Sequence, residues 1–66
     1  MKLKVDEKAD ALYLQLDDSK IIESQEVQPG VVMDISESGE VVGIEILRLS
    51  KRVSKIDLHD FQYQVV

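Results

Sequence analysis

At 66 residues with no cysteine, the chain is a single small domain, residues 1–66. A core of that size supplies only ~3–5 kcal/mol unless something supports it. The net charge of −5 argues against bulk attraction to nucleic acid or to an anionic membrane, and 44% apolar with 32% charged residues excludes a disordered tail.

Disulfides are absent and no zinc-ligand spacing occurs, so oligomerisation is the common support that remains, and a homodimer is expected. The lack of cysteines suits a reducing compartment, no apolar stretch approaches bilayer length, and the N-terminus lacks the apolar core of a signal peptide. A cytoplasmic location is the expectation.

In chain order, Lys2–Asp6 alternates Leu3 and Val5 with lysines and reads as a short strand, followed by a polar turn over Asp6–Asp10. Ala11–Leu16 is the clearest strand, with Leu12, Leu14 and Leu16 on one side and Ala11, Tyr13 and Gln15 on the other. Asp17–Lys20 carries turn chemistry. Ile21–Val27 is a polar strand suited to a sheet edge, where its charges discourage aggregation, and Gln28-Pro29-Gly30 ends it.

Val31–Leu47 is then a β-hairpin, two apolar runs about Glu37-Ser38-Gly39-Glu40. An even-numbered loop puts Val31, Met33, Ile35, Val42, Ile44 and Ile46 on one face, because a one-residue slip would expose half of them. Gly39 serves a turn that needs positive φ, and the competing arrangement is a three-residue type I turn with a bulged Gly39. Beyond it the period changes. Leu49, Val53 and Ile56 fall on one helical face with Ser50 as N-cap, a short helix that could be a single turn, and Phe61, Tyr63 and Val65 alternate with glutamines as in a final strand. The fold class is mainly β (α+β), an antiparallel β-meander of five or six strands with one short C-terminal helix.

The ordered set Asp10-Ala11-Leu12-Tyr13-Leu14-Gln15-Leu16, Val27-Gln28-Pro29-Gly30-Val31-Val32 and Gly39-Glu40-Val41-Val42-Gly43-Ile44-Glu45-Ile46-Leu47, with Ser50-Lys51-Arg52 after it, resembles a small prokaryotic family of unknown function, domain-of-unknown-function family twenty-two eighty-three. The resemblance spans residues 3–52 and implies a compact β-meander followed by a short helix. It implies no assigned activity. For some members it implies an antitoxin-like role, as the antidote partner of a small toxin.

Of the candidate residues, Asp34 and Glu45 are diagonal neighbours on the non-core face of the hairpin, shared with Tyr13, Val32, Val41 and Leu47. That face is the candidate interaction surface for a dimer mate or another protein. Two carboxylates there would suit a cation or acid–base chemistry with shifted pKa values, but pairing with Arg48, Arg52 or a partner chain's basic groups is the more economical expectation. Arg48, Lys51, Arg52 and Lys55 concentrate half of the basic residues and would form a ridge along a helix, without the interleaved aromatics of a nucleic-acid surface. His59 with Asp60 supplies too few ligands for a metal, and is expected at a surface turn. None of the serines at turns, caps or edges has a histidine at a motif spacing, so no catalytic set, cofactor or metal site is read from the chain.

Overall fold

A computed structural model describes all 66 residues. It contains β1 (Lys2–Asp6), β2 (Ala11–Gln15), β3 (Ile21–Gln28), β4 (Val31–Ser36), β5 (Val41–Ile46) and one helical turn, α1 (Leu49–Arg52). The strands form one open antiparallel sheet in the order β1-β2-β5-β4-β3, so the fold is mainly β as the alternation predicts. The run β3–β4–β5 is a meander, and β5 returns beside β2. The link from β2 to β3 therefore crosses three strand spacings, ~14 Å, which its few residues span when extended. No helix is long and apolar enough to cross a membrane.

Two rows of apolar side chains run across the sheet. Leu3, Leu14, Ile44 and Met33 are successive cross-strand partners, as are Val5, Leu12, Ile46 and Val31, so all eight share a face. No second sheet and no helix longer than one turn is available to cover them. Apart from Val5, which is exposed, they are only half-buried, and no side chain in the molecule is fully enclosed.

The hairpin loop is not the even one expected. Gly39 N donates to Ser36 O at 2.9 Å and Ser36 N to Glu40 O at 3.0 Å, with Gly39 at φ 85°. That is the type I turn with a bulged glycine, a three-residue loop. Such a loop alone would mix the faces. A second irregularity corrects it: between the pairs Ile35↔Val41 and Asp34↔Gly43, β4 advances one residue and β5 advances two, which returns Met33 and Ile44 to the same side.

Two details of the C-terminal expectations fail, within a helix that is short as expected. It is a single turn whose flanking residues are Arg48, left-handed at φ 54°, and Val53, extended at φ −129°. Val53 and Ile56 thus lie beyond it, and Ser50 does not cap it. Asp10 does so from the β1–β2 turn: its carbonyl accepts Leu49 N at 2.9 Å and its carboxylate accepts Ser50 N and Oγ. A four-residue helix with an isolated end has little stability of its own and persists here on these contacts. Residues 61–65 form no strand, leaving the sheet at five, because no sheet edge in the chain takes up their backbone.

Candidate functional site

The face opposite the aliphatic rows carries the polar cluster. Tyr13 on β2 is paired with Glu45 on β5, which faces Val32 on β4, and Gly43 on β5 is paired with Asp34 on β4, which faces Ser24 on β3. Asp34 and Glu45 are accordingly diagonal neighbours, as the hairpin pattern predicts. Ser24 Oγ donates to Asp34 Oδ1 at 2.6 Å, and Asp34, a residue only 8% exposed, sets its negative charge near the Tyr13 hydroxyl.

Gly43 makes this reach possible. A Cβ on Gly43 would sit 3.0 Å from ring carbons of Tyr13, so the phenol lies diagonally across a residue that has no side chain. Desolvation in this position, followed by the hydrogen bond to Asp34 and then the charges of Asp34 and Glu45, raises the Tyr13 pKa above its ordinary 10.0. The arrangement keeps a neutral phenol as a donor next to a carboxylate. It supplies no nucleophile with a base beside it, and no group of three or more His, Asp or Glu side chains is placed to share a metal ion.

Of the other residues expected on this face, Val41 is displaced by the irregularity in β5 and Leu47 lies past the end of the strand, where its N–H donates to Gly30 O. Tyr13, Val32, Asp34 and Glu45 remain together. The basic ridge does not form. Arg52 donates through Nε to Leu47 O at 2.9 Å and through its terminal nitrogen to Pro29 O, and Arg48 packs beside it against Gly30. Lys51 stays on the exposed turn of helix, while Lys55 lies beyond it. Neither arginine pairs with Asp34 or Glu45, because one turn of helix cannot carry them across the sheet. His59 Nε2 lies 2.6 Å from Glu7 Oε1, with the histidine side chain 78% exposed as expected of a surface turn.

Sequence reasoning missed three residues that hold these parts together: Ser24, Gly43 and Asp10. Ser24 could be found only from the β3–β4 register. Gly43, inside a strand pattern, carried the usual signal of a close approach. Asp10 before a strand is one of the few non-glycine types that tolerate the left-handed conformation it adopts, at φ 53°.

No curated protein and no solved structure matches the chain. Residues 2–50, which hold the whole sheet and the start of the helix, match the family described as protein of unknown function, DUF2283. The chain belongs to the DUF2283 family.

Proposed function

We propose that the protein is a homodimeric protein-interaction module of the cytoplasm, with no catalytic activity of its own. The observation that carries this reading is the aliphatic face, two rows of apolar side chains left only partly buried on a single sheet. Its surface supports the same reading. The chain exposes 5345 Å², whereas a compact monomer of 7.5 kDa exposes ~4200 Å². The excess of roughly 1100 Å², to which the exposed residues 61–66 contribute, is of the order of the ~800 Å² that each partner buries in a standard interface.

The second copy is therefore set against the Leu14 and Ile44 face rather than the Tyr13 face expected from the sequence. The Tyr13 face meets its own polar needs through Ser24 and Asp34, and the aliphatic face has no such internal solution. The antitoxin-like role implied for some relatives is one use of such a module, with the Tyr13, Val32 and Glu45 surface left for the partner protein.

Sedimentation equilibrium at micromolar concentration tests the dimer, with twice the chain mass expected. A monomer at the highest soluble concentration would remove it. Co-expression with the product of the adjacent gene, followed by co-purification, tests the partner.

A further inference from the structure

Residues 61–65 have the pattern of a strand and none of its bonds. Phe61, Tyr63 and Val65 alternate with Gln62 and Gln64, yet the segment makes no backbone hydrogen bond, and the three apolar side chains stand 65%, 76% and 78% exposed. With Val66 they are four of the eleven large hydrophobic residues left exposed.

The sheet meanwhile ends in two unpaired edges, β1 and β3. The β3 edge is poorly suited to receive a strand, since its register shifts twice. The β1 edge is regular over all five residues. Its alternation also matches: with Phe61, Tyr63 and Val65 continuing the Leu3 and Val5 side, the glutamines fall on the side of Lys2 and Lys4, and both faces of the sheet extend in the same sense. Within one chain the two stay apart. His59 meets Glu7 just after β1, but the residues beyond leave the outer edge of β1 open.

We propose that residues 61–65 add as a sixth strand to the β1 edge of a second copy, each chain giving its segment to the other. This rests on the homodimer reading and says how the dimer is locked: main-chain hydrogen bonds supply affinity and the alternating side chains set the register. The exchange uses two elements that are both unfilled in the single chain.

The absence of native cysteine makes disulfide trapping a clean test. Lys4→Cys and Gln64→Cys chains, mixed and oxidised, should give a covalent dimer much faster than either alone, and the double variant should be trapped between chains. Trapping within a chain would overturn the exchange, because the segment would then belong to its own β1. Deleting residues 61–66 should weaken dimerisation at least ~10-fold, the equivalent of about 1.4 kcal/mol. A truncated chain that dimerises as tightly as the full chain would sink the exchange and leave the face-to-face dimer standing. A full chain that is monomeric would remove both.

Discussion

The two faces of the sheet solve the same problem in opposite ways. The Tyr13 face contains the charged and hydroxyl groups, yet by strand alternation it holds four of the seven buried residues, Ala11, Asp34, Ser36 and Gly43. The aliphatic face, which has the stronger reason to avoid water, stays half-exposed. Polar groups can be satisfied sideways, strand to strand, as Ser24 satisfies Asp34, and a large ring can lie flat over a glycine to shield them. Branched aliphatic side chains standing off a single layer shield only one another. They need a second layer, and in this chain nothing supplies it.

The largest effect that could break this comparison is expected from Ile44→Ala. If the aliphatic face is the buried centre of a dimer, the substitution should cost ~2–5 kcal/mol, the range for truncating an enclosed aliphatic side chain. Urea unfolding at two protein concentrations checks it, and the wild-type midpoint should rise with concentration. A cost under ~1 kcal/mol with no concentration dependence would place Ile44 in water.

Asp34→Ala should come next, at ~1–3 kcal/mol, since it leaves the Ser24 hydroxyl without its acceptor and the Tyr13 phenol without its charged partner. Asp34→Asn should cost less because an amide oxygen still accepts. Neither should change the dissociation constant of the dimer, which separates the two faces experimentally.

A smaller effect is expected from pH. The Tyr13 pKa is raised in the folded state, so the contribution of the neutral phenol is fully present below its ordinary value near 10 and is lost as pH rises through the folded value. Ultraviolet titration should show one of the two tyrosines ionising late, and Tyr13→Phe should flatten that part of the stability curve. The smallest effect is expected at His59. Its partner Glu7 is 57% exposed, and His59→Ala should leave the unfolding midpoint unchanged.

Strand existence was legible residue by residue because period-two alternation is a local property. β1 begins and ends as the alternation indicates, β2 stops one residue short of Leu16, and β3 runs one residue past Val27 as an exposed edge. The loop at Gly39 was not legible. Two irregularities cancel there, and from Gly43 onward an even loop without a bulge predicts the same faces as an odd loop with one. The helix was overread because the spacing of Leu49, Val53 and Ile56 records what could share a face, not whether a sheet surface is there to receive it. At the candidate site, the diagonal placement of Asp34 and Glu45 followed from hairpin pairing. Their partners did not, since Ser24 comes from another strand and the arginines turn to the Pro29–Gly30 corner.

Pattern and composition by themselves determined that the chain is mainly β, where its five strands lie and which side chains share most of each face. They could do so because side-chain direction alternates with every residue and needs no knowledge of the rest of the chain. Only the tertiary structure decided that β5 lies beside β2, that Tyr13 reaches Asp34 across Gly43, and that residues 61–65 go unpaired. Each of these depends on which distant backbone is near enough to bond, a choice settled by chain reach and by the surfaces left open once the other strands have paired.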